Sequence, residues 1–143
     1  MTGDDEKESG AVAAEAAIGL LLLVFLIGVV WALGRYTAAG QGVDAAASDA
    51  ARAASLARSA GEAHDAAQSA AAVTLADNDV ACDAPVITID TSGFQVPAGT
   101  PATVSAQITC TVSLADLTLP VAPGSVVVTG SGVSPLDTYR ERS

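Results

Sequence analysis

Hydropathy along this chain falls into three regimes. From Ala16 to Gly34 no residue is charged, and the centre, Leu20 to Ile27, is bulky and apolar. Nineteen residues at about 1.5 Å each span about 28 Å, close to the ~30 Å hydrocarbon thickness of a bilayer. The pattern predicts a transmembrane helix over residues 11–34. From 35 to 76 alanine dominates, charge is scattered (Arg35, Asp44, Asp49, Arg52, Arg58, Glu62, Asp65), and the first proline is Pro85. Alanine is the best helix former, so the helix is expected to continue outside the membrane as an Ala-rich stalk. Gly40, Gly42 and Gly61 each cost it about 1 kcal/mol relative to alanine and are candidate kinks. Asp77-Asn78-Asp79 reads as its stop.

After that stop, Pro, Gly, Thr and Val replace alanine. Val86 to Asp90 reads as a short strand, followed by a loop from Ser92 to Gly99. The clearest alternation in the chain runs from Ala102 to Leu114. Val104, Ala106, Ile108, Cys110, Val112 and Leu114 share one face, with Thr, Ser and Gln on the other. A period of two means a half-buried strand. Pro123-Gly124 opens a third strand, Ser125 to Thr129, which continues weakly to Val133. Three strands joined by loops suggest a small antiparallel meander. Its apolar face needs a cover, and the outer end of the Ala-rich helix is the nearest candidate. The expected class is therefore α+β: a long N-terminal helix, transmembrane and continuing outside, followed by a small antiparallel three-stranded sheet. The segments are a leader at 1–10, the membrane helix at 11–34, the stalk at 35–80 and a β-rich domain at 81–143. The leader is polar, with too few apolar groups to bury, and reads as disordered.

Composition narrows the function classes. The chain has 143 residues and a formal charge of −10, of which the leader holds −3. Nucleic acid needs Lys/Arg clusters, so it is not an expected partner. A cleaved secretory signal fits poorly, because the n-region Asp4-Asp5-Glu6-Lys7-Glu8 is net negative and the apolar run is long. Orientation signals conflict. Arg35 beyond the apolar run weakly favours a cytoplasmic C-terminal side, whereas two cysteines favour an oxidising, external one. The cysteines weigh more than one arginine.

A sheet this small is not stable alone. Cys82 follows the helix and Cys110 sits mid-strand on the apolar face, so a bridge would tie helix end to sheet centre. Closing that loop stabilises by about 3–4 kcal/mol in the chain-entropy model. The alternative is two buried free thiols acting as small hydrophobes. Two cysteines and a distant His64 make no metal-ligand set, so neither a metal nor a cofactor is expected.

Glu15 is the only charged residue between Gly10 and Gly34. A carboxylate at the edge of a membrane helix calls for a reason. The hydrophilic leader ending in Gly10, with Glu15 five positions on and an apolar helix around it, resembles the processing site of type IV prepilins. The run Gly10-Ala11-Val12-Ala13-Ala14-Glu15 before a Leu-rich helix is similar to the TadE-like pseudopilins of tight-adherence (Flp-type) pilus systems. The stretch Ser134 to Arg140 and the two-cysteine strand region resemble the high-GC actinobacterial members of that family. The resemblance implies cleavage after Gly10 by a prepilin peptidase, with Ala11 as the new N-terminus. Its α-amino group would be positive at neutral pH. In a filament of parallel helices Glu15 could pair with a neighbour's amino terminus, which fixes register. The plainer alternative is that Glu15 snorkels to the headgroups.

Gly34, Ala38, Gly42, Ala46, Ala50 and Ala54 recur every four residues, a row that lets another helix approach closely. Alanine is so common here that other registers show the same, so chance explains the row equally well. The apolar connection Leu114 to Pro123 docks on a partner, grazes the membrane or, as the plainer alternative, caps the sheet core. Asp44, Asp49 and Glu62 lie on a solvated helix face and form no acid–base pair. No Ser/His/Asp order, P-loop or dinucleotide fingerprint occurs, so catalysis is not expected.

The expectation is a structural subunit, a minor pilin or pseudopilin of a Tad (Flp) type IV pilus or related secretion system. It would be single-pass in the cell membrane, N-terminus cytoplasmic and C-terminal domain extracytoplasmic. The resemblance implies other pilin subunits, Tad-type assembly proteins and prepilin peptidase as partners. The alternative is an unprocessed membrane-anchored envelope protein with a small external binding domain.

Overall fold

The structure is a computed structural model that describes residues 4–113 and 124–139, with side chains described from Ala14 onward. The elements are α1 (Asp4–Leu56), α2 (Ala60–Asp77), β1 (Asp83–Asp90), a 3-10 turn (Ser92–Gln95), β2 (Thr103–Ser113) and β3 (Ser125–Pro135). The class is α+β, as expected from the hydropathy pattern. The chain divides into two units, Met1–Arg35 and Tyr36–Ser143.

In the first unit the segment expected to be a disordered leader is helical from Asp4.

In the second unit the Ala-rich segment is two helices rather than one. The break falls at Ala57-Arg58-Ser59, and none of Gly40, Gly42 and Gly61 interrupts a helix. Ser59 is the N-cap of α2: its Oγ accepts from the Glu62 N–H at 3.3 Å. The Glu62 carboxylate reaches back to accept from the Arg58 N–H at 3.1 Å. This reciprocal arrangement satisfies two amides that would otherwise lack partners and starts a helix afresh. A propensity count over 35–80 misses it, because one polar side chain three residues before a glutamate outweighs the surrounding alanines.

α2 folds back along α1. Thr74 Oγ1 donates to Asp49 Oδ2 at 2.9 Å, and a Cβ on Gly42 would lie 2.6 Å from Val80. The seam is built from small residues: Ala46, Ala50 and Ala54 on α1, and Ala63, Ala67 and Ala71 on α2, all fully buried. α2 ends at Asp77, within the expected stop. Asn78 caps it, Asp79 takes a left-handed φ of 50°, and the Val80 N–H donates to the Leu75 carbonyl at 3.1 Å. This is the glycine-type helix ending, with aspartate in the αL position.

The sheet is antiparallel in the order β1-β2-β3. β2 pairs with β3 over eleven consecutive positions, from Thr103↔Pro135 to Ser113↔Ser125. β1 begins three residues earlier than the pattern predicts, at Asp83, and its register shifts between Asp83 and Val86. Val104, Ala106, Ile108, Cys110 and Val112 are all buried in the core, as the alternation requires. Leu114 and the connection to Pro123 lie outside the described residues.

The inner sheet face covers the helices. β3 runs past Val133 to Pro135, and its buried face carries glycine where a larger residue would not fit. A Cβ on Gly130 would stand 2.6 Å from the Val43 carbonyl oxygen, and one on Gly132 would overlap the Ala47 carbonyl. Strand backbone therefore rests directly on helix backbone. Beyond that contact the buried Ser55 Oγ donates to the Arg52 carbonyl at 2.8 Å and accepts from Ser134 Oγ at 2.9 Å. At the far end of the sheet, Phe94 is buried on the 3-10 turn, and the Leu136 N–H donates to the Ala102 carbonyl at 2.9 Å.

Gly132→Ala should destabilise the second unit by at least about 1–3 kcal/mol, because backbone must move to admit the methyl group. Gly61→Ala meets no atom within 4 Å and should stabilise it by up to about 1 kcal/mol. Urea unfolding of the full chain in detergent compares them; equal midpoints for both variants would overturn the close-contact account.

Candidate functional site

The candidate site is the N-terminal part of α1. Gly10, Ala11 and Glu15 fall within two turns of that helix, so the Gly10–Ala11 peptide is helical. Glu15 is exposed. Beyond it the large apolar side chains Ile18, Leu20, Leu21, Leu22, Leu23, Val24, Phe25, Leu26 and Ile27 are all more than half exposed. Residues Ala14–Leu56 include a window of mean hydropathy 2.8 with none of it buried, a candidate membrane span. A surface this apolar is stable only when lipid or another helix replaces water.

The four-residue row changes character along its length. Gly34 and Ala38 are exposed, whereas Gly42, Ala46, Ala50 and Ala54 are buried by the chain's own α2 and sheet. A methyl group on Gly19, Gly28 or Gly34 would meet no heavy atom within 4 Å, while one on Gly42 would strike Val80 and Asn78. Small residues beyond Gly40 thus serve the fold of the second unit. Gly19, Gly28 and Gly34 have open space beside them.

Cys82 and Cys110 form a disulfide with Cα atoms 5.3 Å apart. Cys110 is fully buried opposite Val128 on β3, so the bridge ties the segment after α2 to the middle strand. The helical layer of this unit is mostly alanine, which removes little apolar area from water per residue. The covalent link offsets that shortage.

Asp90 closes β1 with a local turn. Its Oδ1 accepts from the Ser92 backbone N–H at 2.9 Å. That bond, with a second from the Ser92 side chain, holds the carboxyl below its ordinary value. A lowered value means the turn is supported at neutral pH and loses that support only as pH falls through it. Among the described residues no group of three or more His, Cys, Asp or Glu side chains could hold a metal ion. His64, Asp44 and Glu62 are exposed.

Sequence reasoning missed the Ser59–Glu62 cap and the two β3 glycines. The first is visible as Ser-x-x-Glu. The second has a faint signal, a Gly-x-Gly alternation in phase with the buried face, but only the tertiary contact explains it.

Reduction should cost the second unit about 2–5 kcal/mol and open it to proteolysis. In the oxidised protein, alkylation without reductant should label neither cysteine. Labelling of both in native cells would remove the bridge.

No curated protein and no solved structure matches the chain significantly. A family model of TadE-like proteins matches residues 10–52. The matched stretch opens at the Gly10–Ala11 peptide, takes in Glu15 and the exposed apolar surface, and ends on the part of α1 that lies beneath β3. Over these residues the chain is similar to TadE-like proteins.

Proposed function

We propose that this protein is a minor pilin or pseudopilin of a Tad-type pilus or related secretion system, a structural and not an enzymatic component. The observation that carries the reading is a TadE-like helix whose apolar surface is exposed from Ile18 onward and preceded by the Gly10-to-Glu15 spacing. Prepilin peptidase cuts after Gly10, which leaves Ala11 as the N-terminus. The helix then packs among the helices of other pilin subunits, delivered by Tad-type assembly proteins. Glu15 pairs with the amino terminus of a neighbour and sets the register between helices. Gly34 and Ala38 lie on the stretch available to that packing. Gly42 and Ala46 do not, since α2 and the sheet occupy their side of the helix. The N-terminus is cytoplasmic and the disulfide-linked unit extracytoplasmic, where the bridge can form and persist.

A second reading is an unprocessed single-pass anchor carrying a small external domain. One observation favours it: the Gly10–Ala11 peptide is inside a helix, so cleavage requires the first turns of α1 to open.

The mass of the native protein separates the two, since an N-terminus at Ala11 is expected and an intact leader throughout would exclude the pilin. Glu15→Ala should leave membrane insertion unchanged and abolish co-purification with other pilins; unchanged co-purification would exclude the register role.

A further inference from the structure

We propose that Trp31 and Arg35 form a headgroup-binding anchor that fixes the depth of α1 in the bilayer and sets Glu15 at the opposite boundary. The proposal rests on α1 being a membrane span, and it adds the position of that span.

Trp31 is the chain's single tryptophan, and it is 61 % exposed. An indole ring combines an apolar body with one polar group, and it partitions to the headgroup level of a bilayer. Arg35 follows four positions later, one helical turn on and on the same face. Leu26, Ile27, Val30 and Trp31 line an apolar cleft that reaches Gly34 and Arg35. An acyl chain fits the apolar length of that cleft. The guanidinium at its end matches a lipid phosphate, which it can hold with paired N–H donors. The occupant is therefore a phospholipid, with its chain toward Leu26 and its phosphate at Arg35.

Spacing supplies the second argument. Glu15 and Arg35 are twenty residues apart, about 30 Å along a helix, which is about the hydrocarbon thickness. With Arg35 among phosphates at one face, Glu15 reaches the headgroups at the other. The uncharged run from Ala16 fills the space between. A single unassembled copy then carries Glu15 without burying a charge, and the carboxylate waits at the level where a neighbour's amino terminus arrives.

The test uses the full oxidised chain in phosphatidylcholine–phosphatidylglycerol vesicles. Trp31 emission should be quenched more by lipid brominated near the head of the acyl chain than by lipid brominated near its end. In a Trp31→Phe, Val24→Trp variant the order should reverse. A maleimide present on both sides of the bilayer should label Glu15→Cys and leave Val24→Cys unlabelled. Stronger quenching of Trp31 by the deep bromine, or equal protection of both cysteines, would overturn the anchor while leaving the span. Quenching by aqueous acrylamide with no effect of either brominated lipid would instead overturn the span itself.

Discussion

A helix surface that its own chain leaves bare governs this protein. The large apolar side chains from Ile18 to Leu33 are exposed, and burial of such side chains is worth about 1.5–3 kcal/mol each. That free energy is available only from outside, from lipid or from other helices. The N-terminal part of α1 is in that sense an incomplete structure.

The same helix solves the opposite problem a few turns later. From Gly42 onward its small residues are covered by α2 and by β3. Glycine and alanine play different parts here. Alanines at the α1–α2 seam let two helices close on each other with little side chain between them. Gly130 and Gly132 go further and bring strand backbone against the Val43–Ser48 segment of the helix. Such contacts fix relative position tightly, because no flexible side chain can absorb an error. They also bury little area, which is why the Cys82–Cys110 bridge matters to a unit of this size.

Charge is used sparingly on this helix. Glu15 stands alone among apolar and small residues until Arg35. A lone carboxylate is tolerated near a boundary and costly at the centre of a bilayer. On the proposed reading, its position ties depth in the membrane to the place where a subunit finds its counter-charge.

Much of this was legible in residue order. The uncharged run, the strict alternation of β2, the Asp77-Asn78-Asp79 stop and the prepilin-like spacing are local patterns, and local patterns report the period of an element and the solvent it meets. The break at Ala57–Ser59 was also written locally, in Ser59 and Glu62, but a strong background of alanine hid it. What sequence left open is where small residues point. Gly42 and Gly34 belong to one four-residue row, yet only the first is buried against the chain itself. Gly130 and Gly132 look like weaknesses in a strand until the helix beneath them is in view. A glycine states that nothing protrudes; what takes up the vacated space is decided by elements distant in the chain, and so by the tertiary structure alone.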